Sequence, residues 1–251
     1  MRRTTALFRR FGPDRVIVVF ALALLAALGW SYLFVAPMPM PQGAGVTTID
    51  YAVLTAVMWL LMMIAMMAPA VLPVVMLFHT VARRAAGSPV ARTLNFVTGY
   101  FTAWAAFSVL ATMLQIALIL AGPVNTMGAT THPLWTAAVM AAAGTYQLLP
   151  AKSACLDHCR SPIGFLTRHY RPGLAGAWRM GLFHGAYCVG CCWVLMLLLF
   201  VGGVMNLVWV VGLTVLVALE KLVPFGRQVS RIAAVVLLIS AVVLTSRFLW
   251  Q

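Results

Sequence analysis

VIVVFALALLAALGWSYLFVA, Val16 to Ala36, contains no charged residue. A helix rises about 1.5 Å per residue, so about 20 apolar residues cross the hydrocarbon core of a bilayer, and this run is long enough. It is too long for the apolar core of a signal peptide. Met-Pro-Met-Pro follows it in place of a small-residue cleavage site, so it reads as a retained span. Working outward, six further runs repeat the pattern: Tyr51 to about Val81, Thr93 to Ala121, Leu134 to Leu149, about Ala177 to Val201, Leu207 to Leu222, and Ile232 to Trp250. Pro69 and Pro73 interrupt the first of these, and Leu134–Leu149 is short. The count is about seven spans, or about six if Leu134–Leu149 is re-entrant. Of the 251 residues, 63% are hydrophobic and only 8% charged. A soluble domain carries about 25% charged residues, so a water-soluble globule is excluded, as is a disordered chain.

The expected fold is therefore an all-α, polytopic membrane helix bundle forming a single membrane-embedded domain over residues 1–251. It has a basic segment at 1–15, the bundle at 16–250, and a Cys/His-containing loop at 150–179.

The net charge of +13 comes from 17 Lys and Arg against 4 Asp and Glu. Its distribution orients the bundle. Arg2, Arg3, Arg9, Arg10 and Arg15 precede the first span. Arg83, Arg84 and Arg92 lie between spans two and three. Lys152, Arg160, Arg168, Arg171 and Arg179 lie between four and five, and Lys221, Arg227 and Arg231 between six and seven. Only Arg247 falls elsewhere. Positive residues stay on the cytoplasmic side, which predicts a cytoplasmic N-terminus and an outer C-terminus, with the bacterial inner membrane as the expected location. The lipid bilayer is thus the first partner, with anionic lipid as a minor addition at the basic loops. No nucleic-acid partner is expected, since no recognition fold remains.

All five cysteines fall in one part of the chain. Cys155, His158 and Cys159 share a face if Cys155–Cys159 is helical, at i, i+3 and i+4. His184, Cys188 and Cys192 follow an i, i+4, i+8 row at the cytoplasmic start of span five, with Met180 and Met196 at its ends and Cys191 beside it. Thiolate, imidazole and thioether donors suit Cu(I) first and Zn(II) as the alternative. Taken singly, a buried cysteine is a small hydrophobe and a methionine stripe is plain packing. Met66 and Met67, in the inner half of span two, join the candidate set on depth alone. Cys191 and Cys192, adjacent on a helix, diverge by about 100°, so joint service to one ion is expected to need unwinding at Gly190.

The acids are sparse. Glu220 is expected to pair with Lys221 or a loop arginine. Asp157 points away from the Cys155/Cys159 face, and Asp14 and Asp50 are helix-entry residues. His79 and His132 read as interfacial side chains, and His169 as part of a solvated basic loop.

Three segments carry a family resemblance: Met62 to Pro69 (MMIAMMAP), Tyr146 to Pro162 (YQLLPAKSACLDHCRSP), and Arg179 to Trp209, which includes RMGLFHGAYCVGCCW and GGVMNLVW. Glu220-Lys221 matches as well. Over roughly Tyr51 to Pro224 the chain resembles the DUF2182 family, described as predicted metal-binding integral membrane proteins. The resemblance implies metal binding and names no substrate or reaction.

Three functions fit these residues. The first is capture and delivery of a soft metal. Cys155, His158 and Cys159 take up the ion, His184, Cys188, Cys191 and Cys192 hold it, Met66 and Met67 are weak donors, and a metallochaperone or membrane protein is the exchange partner. The second is thiol–disulfide exchange between the C-x-x-C and C-x-x-x-C pairs, which a cytoplasmic placement disfavours. The third is an assembly subunit with a structural metal. No phosphate loop, Ser-His-Asp pattern or haem-attachment motif is present, and enzymatic activity is not the expected role.

Overall fold

A computed structural model describes residues 13–35, 48–84 and 87–250. Arg2, Arg3, Arg9 and Arg10 lie outside the described residues, as does most of the first outer loop. Among the described residues are nine helices of eight or more residues: α1 (Pro13–Val35), α2 (Ile49–Ala82), α3 (Pro89–Ala121), α4 (Pro133–Leu148), α5 (Pro150–Arg160), α6 (Pro162–His169), α7 (Gly173–Leu197), α9 (Leu207–Leu222) and α10 (Gly226–Leu249). A single turn, α8 (Leu199–Gly202), continues α7. An isolated bridge between Val124 and Thr130 folds the α3–α4 connection.

The helix starts follow local chemistry. Thr48 caps α2 by accepting from the Tyr51 amide at 3.3 Å. Ser88, His132 and Asn206 do the same for α3, α4 and α9, and Pro89 and Pro133 take first-turn positions where a missing N–H costs nothing. Asp14 and Asp50 lie in the first turns of α1 and α2, so Asp50 supports the helix dipole while Thr48 makes the cap. α3 ends on Gly122, whose φ of 93° closes the helix in a conformation that side chains resist.

Five stretches are long and apolar enough to cross a membrane: Asp14–Val35, Ile49–Ala82, Pro89–Ala121, Gly173–Gly202 and Gly226–Leu249. The other two expected spans, α4 and α9, are helices of 16 residues each, about 24 Å long. α4 runs antiparallel along α10. The His132 ring lies 4.8 Å from Phe248 at one end, Gly144 packs on Ala234 and Leu238, and Gln147 shares a polar cavity with Ser230 at the other end.

α3 and α7 make the closest contact in the bundle. A Cβ on Gly99 would run into the Trp178 carbonyl, and one on Gly181 into the Phe96 carbonyl. A Cβ on Gly185 would meet the Tyr100 carbonyl at 2.7 Å. Glycines let two backbones approach where any side chain would hold them apart. The core around this seam holds Trp59, Phe78, Phe96, Tyr100, Trp104 and, from α2, Met58, Met62, Met63, Met66 and Met67, all buried.

The basic residues gather at one end of the bundle. Arg15 donates to Thr80 at 3.0 Å. Arg160 donates to the carbonyls of Val223 and Pro224 at 2.8 and 2.6 Å. Arg227 pairs with Asp157 on the surface. Arg247 lies beside Phe248 at the opposite end. The stretch expected as a loop, 150–179, is instead largely helical. Leu156, Phe165 and Leu166 turn inward from α5 and α6 and clamp both short helices onto the bundle.

Candidate metal centre

α7 carries the row read from the sequence. His184, Cys188 and Cys192 are 3%, 3% and 0% exposed, and Met180, Cys191 and Met196 are buried with them. α7 continues unbroken through Gly190. Even so, Cys191 and Cys192 converge, because both thiols donate to the Cys188 carbonyl, at 3.1 and 3.0 Å. Both thiols thus reach one acceptor on an intact helix. A short side chain swung back over the preceding turn closes the 100° gap that separates adjacent Cα–Cβ bonds on a helix, about one quarter turn.

α5 delivers the second cysteine pair. The Cys155 sulfur lies 3.1 Å from where a Cβ on Gly190 would be, so this glycine lets α5 settle on α7. The Tyr146 hydroxyl donates to the Gly190 carbonyl. One turn on, the Cys159 thiol stands beside those of Cys188 and Cys191. Those two contacts, followed by burial, hold the Cys159 thiol well above its ordinary range. Burial, then proximity to Cys191, raises Cys155.

Cys188 is the hub. The Tyr100 hydroxyl lies 3.0 Å from its sulfur. The Lys221 ammonium donates to it at 2.8 Å, with Met67 sulfur 3.7 Å and Cys192 sulfur 3.8 Å from the same nitrogen. Met67 therefore joins the cysteines, whereas Met66, next to it on α2, packs in the core. The expected Glu220–Lys221 pair is also corrected. Glu220 binds Lys152 at 2.7 Å and accepts from the Gln147 amide at 2.8 Å. Neighbours on a helix point about 100° apart, so Glu220 faces α4 and α5 while Lys221 faces α2, α3 and α7.

The two candidate histidines flank the sulfurs. His184 packs among Phe165, Tyr100 and Phe96, at centroid distances of 5.0, 5.9 and 6.2 Å. Its Nδ1 is buried without a hydrogen-bond partner, as is His158 Nε2. His158 stacks on Tyr187 at 3.9 Å. Burial first, then the charges of His169 and Arg168, hold His158 below the ordinary imidazole range, so its lone pair is free at neutral pH.

His169 is not a solvated loop residue. It ends α6 half-buried, 5.5 Å from His158 and 5.2 Å from Phe165. His79 is fully buried on Thr93 at 3.0 Å, and His132 caps α4. Asp157 points outward to Arg227, as expected.

Among the described residues, no three His, Cys, Asp or Glu side chains stand as a ready-made metal site. The cation among the sulfurs is the lysine ammonium. The donor types nevertheless suit a soft ion, and of the three buried imidazole nitrogens without partners, on His79, His158 and His184, the last two flank the sulfurs. Sequence reasoning missed Tyr100 and Gln147. Both are polar residues inside apolar runs, but that signal is unspecific: Gln115, equally buried, simply ties Trp59 to α3 at 2.7 Å.

A family model described as PpoB2, copper chaperone, matches residues 56–244, well over half of the chain. That range contains α3 through α9 and every candidate donor. No curated protein and no solved structure shows a significant match.

Proposed function

The chain belongs to the PpoB2 copper chaperone family, and on that premise we propose that it is an integral membrane protein that binds Cu(I), with Zn(II) as the alternative, and passes it to a metallochaperone or membrane partner. The carrying observation is the gathering of the Cys188 sulfur with its neighbours about the Lys221 nitrogen, with Cys155 of α5 seated on Gly190 of the same helix as Cys188. Cys192 and Met67 lie around the same lysine nitrogen. His184, His158 and Cys155 complete the reach of the site, and Met66 is a reserve donor on the same helix. The DUF2182 resemblance points the same way.

Charge supports a monovalent ion. A buried ammonium needs a counter-charge, and the Cys188 sulfur is the group beside it. Cu(I) held by two thiolates carries one negative charge, and the Lys221 ammonium brings the complex to neutrality. Met67 and His184 then act as uncharged donors that add no further charge to a low-dielectric site.

Seven spans with a cytoplasmic N-terminus fit this reading. α4 accompanies α10 along nearly its whole length, and the basic residues share one end. Lys221, one residue from the end of α9, supports a site towards the basic end, which this reading takes as the cytoplasmic side of a bacterial inner membrane.

The Cys188–Lys221 contact also favours a second reading, thiol–disulfide exchange, because a neighbouring cation activates a thiol.

Purified protein in detergent, titrated with Cu(I) against a chelator, is expected to bind copper stoichiometrically, and Cys188→Ser and Cys159→Ser are expected to lose it. Wild type without stoichiometric copper, together with a Cys155/Cys159 or Cys188/Cys191 disulfide cycling under mild oxidant, would replace the first reading with the second.

A further inference from the structure

A groove of about 430 Å³ opens at the basic end between α6 and α7. His169, Arg171, Arg179, Met180 and Phe183 line it. It is not part of the sulfur cluster, yet two of its residues start lines of donors that run there. On α7, Met180, His184 and Cys188 succeed one another at four-residue intervals, about 6 Å apart along the axis. From α6, His169 lies 5.5 Å from His158. Phe165 packs against His169, His158 and His184, at 5.2, 5.7 and 5.0 Å. The Met180 sulfur is held in place by the Arg171 amide at 3.2 Å. Inside, His184 is 3% exposed, and its Nδ1 and His158 Nε2 have no partner. A buried polar atom left unpaired costs stability, which a use for it would explain.

We propose that this groove is the mouth of a copper path, with His169 and Met180 as the first donors and His158 and His184 as the steps to Cys159 and Cys188. The path rests on the copper reading above. Its donors are ordered by strength. Neutral imidazole and thioether hold Cu(I) weakly enough to release it, and the thiolates at the end hold it more tightly, so the ion moves downhill. Arg171 and Arg179 at the mouth repel a bare cation and attract an anionic complex. The ion therefore arrives bound to an anionic carrier, such as a bis-thiolate complex, and leaves the carrier by ligand exchange at Met180 or His169. No electron is transferred: each Cu–donor bond formed replaces one broken, and the final thiols release their protons as the metal binds.

The test presents Cu(I) as its anionic bicinchoninate complex and follows loss of the chelate colour by stopped flow, with equilibrium affinity measured separately. His169→Ala and Met180→Leu are expected to load at least about tenfold more slowly, about 1.4 kcal/mol in the barrier. Their final stoichiometry and affinity should equal those of wild type. Met180→Leu keeps its volume, and His169 is half-exposed, so thermal unfolding midpoints should stay close to wild type and confirm folding. Loading at the wild-type rate in both variants overturns the path and leaves the copper reading intact. Loss of affinity in step with rate also overturns it, because the residues would then be ligands of the final site. If wild type takes up no copper at all, the copper reading fails and the path fails with it.

Discussion

Two lysines are buried at the basic end of this bundle, and they have opposite surroundings. Lys152, 1% exposed, meets the Glu220 carboxylate and the Gln147 amide. Lys221, 8% exposed, meets the sulfurs of Cys188, Met67 and Cys192. Glu220, which holds the first lysine, and Lys221 itself are neighbours on α9, yet one lysine closes a fully satisfied ionic network and the other leaves a cation among soft, polarisable atoms. A carboxylate partner fixes a lysine as structure. A ring of sulfurs holds a lysine only as long as nothing softer competes. On the copper reading, the comparison separates a part of the bundle built to stay from a part built to exchange.

The sharpest way to break it is through Glu220. Glu220→Gln strips Lys152 of its counter-charge in a dry site, and breaking a buried pair this way costs about 3–5 kcal/mol. Thermal unfolding in detergent should show a large drop in midpoint. The double variant Lys152→Met/Glu220→Leu should recover most of it, since packed apolar groups can replace a buried pair. A single variant as stable as wild type would mean that the network contributes nothing.

The second prediction acts on the other lysine. Lys221→Met removes the charge that neutralises a bis-thiolate copper complex while keeping most of the side-chain volume. Copper affinity should fall by about tenfold or more, about 1.4 kcal/mol, with much less change in unfolding midpoint than for Glu220→Gln. Unchanged affinity in a chelator competition would show that the ammonium has no part in holding the metal.

The smallest effect is expected where α5 meets α10 in water. Asp157 and Arg227 pair on the surface, with side chains 44% and 61% exposed. Exposed pairs contribute little. Asp157→Asn should therefore leave both the unfolding midpoint and copper binding where they are. A clear loss of copper binding would mean that this surface pair, and not the buried one, docks α5 onto the bundle.

Much of the molecule could be read before folding. The apolar runs at Val16, Tyr51, Thr93 and Ile232 became long helices, because hydropathy and length are local properties. The donor row of His184, Cys188 and Cys192 was legible for the same reason: a helix of known period decides which residues share a face. The burial of α5 and α6 was less visible. Their inward face rests on a few residues, Leu156, Phe165 and Leu166, within an otherwise polar stretch. That Cys191 and Cys192 share the Cys188 carbonyl was not legible, since backbone direction alone ignores the swing of a short side chain.

The sequence by itself determined that the chain is an apolar helical bundle with its basic residues at one end and its thiols near that end. Those properties follow from composition and periodicity, which each segment carries alone. Only the tertiary structure decided which lysine meets the sulfurs and which the carboxylate. It brought Tyr100 to Cys188 and Met67 to the lysine beside that cysteine, from two other helices. Gly99, Gly181 and Gly185 bring α3 against α7, and Gly190 admits α5. Contacts of that kind depend on how closely two backbones approach, a distance that no single segment encodes.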